Sequence, residues 1–360
     1  MAESKAVLVP APAPRILVVK LSSIGDVVMA TPTARALRRR FPRATIEWLV
    51  EAKSAEVVLG NPHLDAVHVL DRRRWHVLVR RGMYGQVLLD VGRFLLWLRK
   101  RRYDIAIDLQ GLFRSAVFTL ASGARMRVGS RRSREGSFLA LTHRVEPRPR
   151  TSRAGEHYLY LLTPLGVGTC DCDLEVAVSP DDYVFARSLL EENGISSRFA
   201  ALCPATTRPQ KHWTERGFAQ TADLLESRLG LPSVILGSAA DVGLAQRISK
   251  LAAHPPAIIA GKTSLKQAAA LLAQATLVVT VDNGPLHLAV AMKRPVVGLF
   301  GPTPSERYRD EPGVMIVRHD CRCSPCRTRP ACPGYPCMAT ITPDEVLSAA
   351  ATLLRNYAKT

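Results

Sequence analysis

The stretch Arg15–Pro42, RILVVKLSSIGDVVMATPTARALRRRFP, joins a short apolar run to a helix-like segment through a loop that places Asp26 where the helix begins. The run RILVV is almost wholly apolar, which is typical of a parallel strand covered by helices on both faces. Ser22, Ser23 and Gly25 follow at the carboxyl end of this strand, where open α/β sheets place their ligands. A carboxylate at a helix start is stabilised by the helix dipole, so Asp26 has a structural explanation as well as a chemical one.

Apolar runs alternate with helix-like segments through the rest of the chain, which predicts an α/β fold with parallel sheets. The other runs are TIEWLV, AVHVL, DIAIDL, FAALCP, SVILG, LVVTV and VVGLF. An irregular stretch containing GVGTCDC and SPDD separates two series of runs and predicts two doubly wound, Rossmann-like domains. We expect a mobile tail over 1–14, domains over 15–180 and 181–342, and a last helix over 343–360 that begins at Pro-Asp-Glu.

Composition favours a folded protein with anionic partners. Of the 360 residues, 47% are hydrophobic and 22% charged, and the formal net charge is +18. The first loop contains neither G-x-G-x-x-G nor G-K-[ST], which argues against a dinucleotide oxidoreductase and a P-loop enzyme. No run reaches the roughly 18 apolar residues that cross a bilayer. The segment Gln86–Arg102 is apolar with a basic end, so it either lies on a membrane or packs into the core with its cationic end solvated.

Two loops in the second half carry polar residues after apolar runs. Thr206, Thr207 and Lys211 follow FAALCP, and hydroxyls with a cation at a strand end suit a pyrophosphate. An ordinary solvated loop is the alternative. The run LVVTV feeds the segment Asp282–His287, DNGPLH, in which a glycine would let backbone amides approach an anion at a helix start. His287 is either part of this site or a core histidine.

Four segments, taken in order and spacing, resemble the ADP-heptose:lipopolysaccharide heptosyltransferases of glycosyltransferase family 9. They are KLSSIGDVVMATPTARALRRRFP, YDIAIDLQGLFRSA, PATTRPQKHW and VDNGPLHLAVAMKRPVVGLFGPT. The resemblance covers nearly the whole chain and implies the glycosyltransferase B fold, two Rossmann-like domains facing a central cleft. It implies that 15–180 binds the acceptor, that 181–342 binds the nucleotide-sugar, and that the last helix crosses back onto the first domain.

The implied activity is an inverting transfer of heptose from ADP-heptose to the inner core of lipopolysaccharide. Asp26 then matches the catalytic base, and Lys211 stabilises the leaving diphosphate. The implied donor-binding residues are Thr206, Thr207, Lys211, Asp241, Thr263, Asp282, Asn283, Gly284, Pro285, Leu286 and His287. Asn283 stands where Thr or Ser is more usual. Asp241 and Thr263 either bind the donor or lie in plain surface loops.

The implied acceptor-side residues are the loop Ser22, Ser23 and Gly25 and the arginines Arg73, Arg74, Arg114 and Arg134. Guanidinium groups suit the carboxylates and phosphates of such an acceptor, although each arginine also fits an ordinary basic surface. The segment DRRRWHV resembles enzymes that add the first heptose to 3-deoxy-octulosonate, with His76 where a further arginine is usual. A cysteine-rich tail is more typical of second-heptose enzymes, so the position filled stays open.

That tail, CRCSPCRTRPACPGYPC, has an incomplete metal signature because its C-x₂-C is followed by C-x₅-C and C-x₄-C. Cys323, Cys326, Cys332 and Cys337 are candidates for a structural metal, a disulfide or unpaired thiols. No catalytic metal is expected, and no cofactor beyond the ADP-heptose donor.

The expected partners are a lipid A core acceptor and the anionic inner-membrane surface, approached from the cytoplasm by a peripheral monomer. One alternative keeps the fold with another nucleotide-sugar. A second is a non-enzymatic nucleic-acid platform, which the 6% of aromatics, not interleaved with the basic clusters, argues against. No nucleic-acid partner is therefore expected.

Overall fold

The computed structural model describes residues 13–146, 153–168, 171–319, 321–326, 332 and 334–357. The chain divides into two compact units, Met1–Ala177 and Val178–Thr360. The division falls close to the boundary expected at 180. The expected mobile tail lies outside the described residues except at 13 and 14.

The first unit is built on a six-stranded parallel sheet with the order β3-β2-β1-β4-β5-β6. Its strands are β1 Arg15–Val19, β2 Thr45–Glu51, β3 Ala66–Leu70, β4 Ile105–Asp108, β5 Met126–Ser130 and β6 His143–Val145. Its helices are α1 Ile24–Ala30, α2 Pro32–Arg40, α3 Arg72–Arg80, α4 Tyr84–Lys100, α5 Phe113–Ala121 and α6 Glu156–Tyr160. The apolar positions of β1 from Ile16 to Val19 are fully buried, as expected for a strand covered on both faces.

The second unit repeats the design with the strand order β12-β11-β10-β7-β8-β9, again parallel. Its strands are β7 Ala200–Cys203, β8 Ser233–Ile235, β9 Ala257–Ile258, β10 Leu277–Val281, β11 Val296–Phe300 and β12 Val314–Arg318. Its helices are α7 Pro180–Glu192, α8 Glu215–Leu229, α9 Val242–Leu251, α10 Leu265–Gln274, α11 Gly284–Ala291, α12 Pro336–Ala339 and α13 Pro343–Tyr357. The α/β class with two doubly wound sheets is thus confirmed.

The last helix, α13, begins at Pro343 as predicted, and the Glu345 carboxylate accepts hydrogen bonds from the backbone and hydroxyl of Thr342 at 2.8 and 2.9 Å. Its buried face packs against α8, β11 and β12 of the second unit, and Val346, Ala350 and Leu353 enter that unit's core. The sequence did not predict this packing. The crossing of the helix onto the first unit stays a prediction.

Within the part of the chain that the structure describes, no helix combines the length and apolar character that a bilayer crossing requires. The seventeen residues of α4 would extend only about 26 Å. Most of the segment Gln86–Arg102 lies in α4 and keeps the two interpretations already given.

Glu47 on β2 is a buried carboxylate of the first unit. It is 1% exposed and accepts hydrogen bonds from His68 at 2.7 Å, Arg101 at 2.6 Å, Tyr103 at 2.5 Å and Arg15 at 2.8 Å. Burial alone would raise the pKa of this carboxyl, but the hydrogen bonds from His68, Arg101 and Tyr103 outweigh burial and lower it to about 2.

Glu47→Gln should lower the free energy of unfolding of the first unit by about 3 kcal/mol at neutral pH, since a shift from 4.5 to about 2 corresponds to that energy. Because the folded pKa lies below the unfolded value, the contribution is complete above about pH 4.5 and disappears as the pH falls toward 2. Urea denaturation followed by tryptophan fluorescence at neutral and acidic pH measures it.

The control is Glu146→Gln, which removes a carboxylate that is 52% exposed and pairs with Arg132 at 2.7 Å. Surface pairs of this kind contribute only about 0–1 kcal/mol. Equal stability losses in the two variants, or a Glu47→Gln loss that does not shrink at acidic pH, would show that Glu47 is not held ionised by its partners.

Candidate active site

In the first unit, polar side chains gather where the sheet order reverses, between β1 and β4. The loops that leave these two neighbouring strands are joined by Gln110, whose side-chain oxygen accepts from the backbone N–H groups of Leu21 and Ser22, both at 3.1 Å. This is the switch point at which doubly wound sheets bind ligands. The predicted loop Ser22–Gly25 therefore lies at such a position and is held there by a residue that the sequence analysis did not select.

Asp26 lies in the first turn of α1, and its two carboxylate oxygens have different surroundings. Oδ2 accepts from the Ser23 hydroxyl at 2.9 Å and from the Ser23 backbone N–H at 3.3 Å, which completes a capping box. Oδ1 accepts from the hydroxyl of Tyr158, on α6, at 3.4 Å. The structural explanation for Asp26 is therefore correct for one oxygen, and the capping contact also orients the other.

A buried lysine, Lys20, lies beside Asp26 and was missed by the sequence analysis. It is 3% exposed, and its ammonium lies 5.0 Å from the centre of the Tyr158 ring. Burial lowers the pKa of Lys20, against the opposing effect of the Asp26 and Asp108 carboxylates. Asp108, at the end of β4, is 2% exposed. Burial raises its pKa, despite hydrogen bonds from the backbone of Gly111, the Ser115 hydroxyl and the backbone of Gln110. In the sequence, Lys20 and Asp108 are distinguished only as charged residues at the ends of the apolar runs that form β1 and β4.

Of the four predicted arginines, Arg114 is the one that contacts this loop. Its guanidinium donates to the Ser22 hydroxyl at 2.7 Å and to Glu51 at 3.0 Å. Arg72, which was not selected, binds the same Glu51 oxygen at 2.8 Å. Guanidinium groups of α5 and α3 are thus brought together at one edge of the loop.

The other predicted arginines lie elsewhere in the first unit. Arg73 is exposed on α3, and Arg74 pairs with Asp90 of α4 at 3.0 Å. Arg134 is exposed, but its backbone N–H donates to the carbonyl of Gly111 at 3.0 Å, which joins its loop to the one that follows β4. Of the three consecutive arginines, Arg72 therefore points inward to Glu51, whereas Arg73 and Arg74 point outward.

In the second unit, the sheet order reverses between β7 and β10, and an ion pair joins the two loops there. The Lys211 ammonium lies 2.5 Å from the Asp282 carboxylate and 3.3 Å from the carbonyl of the same residue. Burial would raise the pKa of Asp282, but the charge and hydrogen bond of Lys211 outweigh it and lower the pKa. Both residues were predicted as donor-binding, and the structure brings them into direct contact.

Asn283 uses the whole hydrogen-bonding capacity of its amide inside the protein. Its nitrogen donates to the carbonyls of Cys203 and Ala205 at 3.0 and 2.9 Å, and its oxygen accepts from the Thr280 hydroxyl at 2.8 Å and the Leu286 N–H at 3.1 Å. An asparagine offers two donors and an acceptor oxygen with two lone pairs, so all of them are occupied. The residue fastens the β7 loop to the start of α11, which explains why an amide suits this position better than a hydroxyl.

Asn283→Ala should lower the free energy of unfolding by about 2–3 kcal/mol because two carbonyls lose their donors and α11 loses its N-cap. ADP affinity should fall as well, because the loop after β7 is no longer fixed to the start of α11. Asn193→Ala is the matched control. It removes a bond to the Leu189 carbonyl at 2.7 Å and an exposed bond from Lys262 at 3.3 Å, and it should cost about 1 kcal/mol. Chemical denaturation and ADP titration measure both; equal losses would contradict the clamp.

The remaining DNGPLH residues lie in the first turns of α11. Leu286 is fully buried, so its side chain is a core residue and its backbone is held by the Asn283 cap. His287 is 5% exposed, and the hydroxyl of Tyr308 lies 2.8 Å from its Nδ1. Gly284 and Pro285 are partly exposed at the helix start. Tyr308 was missed because it lies in a short turn beyond β11.

The other predicted donor residues follow β7, β8 and β9. Thr206 is partly buried and its carbonyl lies 2.9 Å from His212, while Thr207 is exposed. The Asp241 carboxylate accepts from the Ser238 hydroxyl at 2.6 Å and its N–H at 2.7 Å, a capping contact. Thr263 is partly exposed at the start of α10. Binding roles for Asp241 and Thr263 stay predictions.

The cysteine-rich tail is only partly described. Burial first, and then the neighbouring Cys323, raises the pKa of Cys326 to about 11, and the pKa values of Cys332 and Cys337 are raised as well. Among the residues whose positions the structure gives, no group of three His, Cys, Asp or Glu side chains is arranged to hold a metal ion. The alternatives of metal, disulfide and unpaired thiols stay predictions.

Two doubly wound parallel sheets in one chain are the architecture of the glycosyltransferase B class. A solved member of this class, the glycosyl transferase family 9 protein from Veillonella parvula, superposes with a TM-score of 0.80 at 24% identity, covering 95% of this chain and 97% of that chain. A family model for glycosyltransferase family 9 (heptosyltransferase) matches residues 91–333. The chain belongs to this family and is a glycosyltransferase.

Curated relatives match along most of the chain. The lipopolysaccharide heptosyltransferase 1 of Pseudomonas aeruginosa is 30% identical over 315 residues, which is 87% of this chain and 86% of the relative. The lipopolysaccharide core heptosyltransferase OpsX of Haemophilus influenzae is 26% identical over 315 residues, 85% of each chain. The family predicted from the four sequence segments is confirmed.

Proposed function

We propose that the protein transfers heptose from ADP-heptose to the inner core of lipopolysaccharide with inversion at the anomeric carbon. The observation that carries the proposal is the Asp26 carboxylate, oriented by Ser23 at the switch point of the first sheet and placed beside the buried Lys20. The relatives that share the chain's length are named as lipopolysaccharide heptosyltransferases, which supports this choice of sugar and acceptor.

Asp26 acts as the general base. The acceptor hydroxyl oxygen forms a bond to the anomeric carbon while the bond from that carbon to the diphosphate breaks, and Asp26 takes the hydroxyl proton. A single displacement of this kind inverts the anomeric centre. The Asp26 carboxylate also stabilises the positive charge that develops on the sugar in the transition state. The Asp26 carboxylate in turn interacts electrostatically with the buried Lys20 and opposes the lowering of the Lys20 pKa by burial.

Lys211 stabilises the diphosphate that leaves. Its ammonium, in the loop after β7, is held by the carboxylate of Asp282, which follows β10. Thr206 and Thr207 lie in the same β7 loop, and α11 begins two residues after Asp282. A fixed cation at a helix start suits a diphosphate without a further cofactor. Asp241 and Thr263 lie after β8 and β9 and would contact the nucleoside portion of the donor.

The acceptor is lipid A that carries the anionic inner core. Arg114 and Arg72 lie beside Ser22 and suit the carboxylate or phosphate groups of such a molecule, with Arg73, Arg74 and Arg134 further out. Heptose is added to 3-deoxy-octulosonate or to the first heptose. The enzyme acts at the cytoplasmic face of the inner membrane as a peripheral monomer.

The test incubates the protein with ADP-heptose and two deacylated acceptors, one ending in 3-deoxy-octulosonate and one in the first heptose. ADP release and a mass gain of one heptose on one acceptor support the proposal and identify the position filled. Transfer with UDP- or GDP-sugars but none with ADP-heptose would replace the donor assignment. No transfer with any donor, despite ADP binding, would overturn the proposal.

A further inference from the structure

The hairpin formed by α3 and α4 in the first unit has an apolar surface that faces outward. One side of α4 packs inward, where Phe94, Leu95 and Leu98 join a core cluster. On the outer side Leu88 and Leu96 are 74% and 64% exposed. A helix that is apolar on opposite sides requires a second apolar neighbour.

The outer surface of α4 is bare as well as apolar. Leu88, Leu89 and Leu96 fall within one arc of the helix, and Gly85 and Gly92 lie between them at helical spacing. A Cβ built on either glycine would meet no atom within 4 Å among the described residues. Nothing in that part of the chain therefore covers the leucines, which we call the leucine face.

Cations surround the leucine face. Residues 71–102 contain ten Lys or Arg and two Asp, a net charge of +8. The cations are Arg72, Arg73, Arg74, Arg80, Arg81, Arg93, Arg99, Lys100, Arg101 and Arg102. Arg93, Arg99 and Lys100 are exposed along the same side of α4 as the leucines. An apolar stripe with flanking cations is the pattern of helices that lie in the interface of an anionic bilayer.

We propose that the leucine face docks on an anionic lipid bilayer, with α4 lying in the plane of the headgroups. The charge selects this occupant, because a second copy of the chain would bring +8 against +8, and a nucleic acid would leave the leucines in contact with water. The inference rests on the proposed lipid acceptor. It also brings the exposed Arg73 of α3 to the surface where such an acceptor is embedded.

The experiment measures flotation of the full chain with vesicles of phosphatidylcholine alone and of equimolar phosphatidylcholine and phosphatidylglycerol. The wild type should float only with the second kind. Leu88→Gln together with Leu96→Gln should lower its partition coefficient by about 100-fold, roughly tenfold for each leucine removed from lipid. The matched control is Val184→Gln with Leu251→Gln, two apolar side chains of the second unit that are 66% and 55% exposed. It should change the partition coefficient by less than about twofold.

Two further measurements separate the other occupants. Arg93→Gln with Lys100→Gln should weaken binding to the anionic vesicles by about 25-fold, since each surface cation contributes about fivefold. Sedimentation without lipid reports self-association. Wild-type flotation by the leucine variant would overturn the proposal, as would a lipid-free dimer that this variant dissociates.

The activity assay with deacylated acceptor keeps this inference apart from the proposed function. The leucine variant should turn over the water-soluble acceptor at the wild-type rate and lose activity only with acceptor embedded in anionic vesicles. If no protein transfers heptose but the wild type still floats and the variant does not, the docking surface stands while the function fails.

Discussion

Asp26→Asn should lower the turnover of heptose transfer by roughly 10²- to 10⁴-fold, the range that a general base contributes. ADP affinity should stay within about twofold of wild type, because the residue lies in the first unit and the predicted donor residues lie in the second. The amide keeps the size of the carboxylate but cannot take the proton. ADP release and calorimetric ADP titration measure the two quantities.

The capping role of Asp26 needs its own control, and α7 provides one. Asp182 occupies the same position in its capping box, accepting from the Ser179 hydroxyl at 2.6 Å and its N–H at 3.0 Å. Asp182→Asn keeps an acceptor oxygen at this position, so it should cost under about 1 kcal/mol of stability and leave turnover unchanged. If Asp26→Asn lost only as much activity as Asp182→Asn, the carboxylate would be a cap and not a base.

Lys211→Met should weaken ADP binding and lower kcat/KM by about 10²- to 10³-fold. The reason is that the leaving diphosphate loses the cation that stabilises its charge. The same change leaves the Asp282 carboxylate, only 18% exposed, without its ion-pair partner, so the second unit should also lose stability. ADP titration, steady-state kinetics and urea denaturation measure the three effects.

The double variant Lys211→Met with Asp282→Asn separates binding from stability. With both charges removed, most of the stability should return, because no uncompensated charge remains buried. Transfer should remain as slow as in the single variant. Lys250→Met, an exposed lysine of α9, is the control and should change nothing. Recovery of transfer in the double variant would show that the lysine serves the fold and not the diphosphate.

The fold could be predicted well where strands are buried on both faces. All eight apolar runs that the sequence analysis selected form strands. In the described part of the chain the missed strands are β5, β6, β9 and β12. Of these, β6, β9 and β12 are edge strands, and β5 lies next to the edge strand β6. Short strands near an edge, such as the two residues Ala257 and Ile258 of β9, bury too little to require a long apolar run.

The candidate site could be predicted only in part. Lys211 and Asp282 were selected for separate reasons, and the structure joins them. Lys20 and Tyr158 were missed because their importance depends on residues far away in the chain. Arg72 was passed over in favour of Arg73 and Arg74, since three consecutive arginines carry no sequence signal for which of them turns inward.

The sequence alone determined the class of fold, the family and the loops that carry the chemistry. Runs buried on both faces and polar residues at strand ends are local patterns, and the chain order of the loops follows directly from them. Only the tertiary structure decided which side chains meet and which are already occupied, as the saturated amide of Asn283 shows. Hydrogen bonds act over about 3 Å, and such distances between residues remote in sequence are set by the packing of the whole unit.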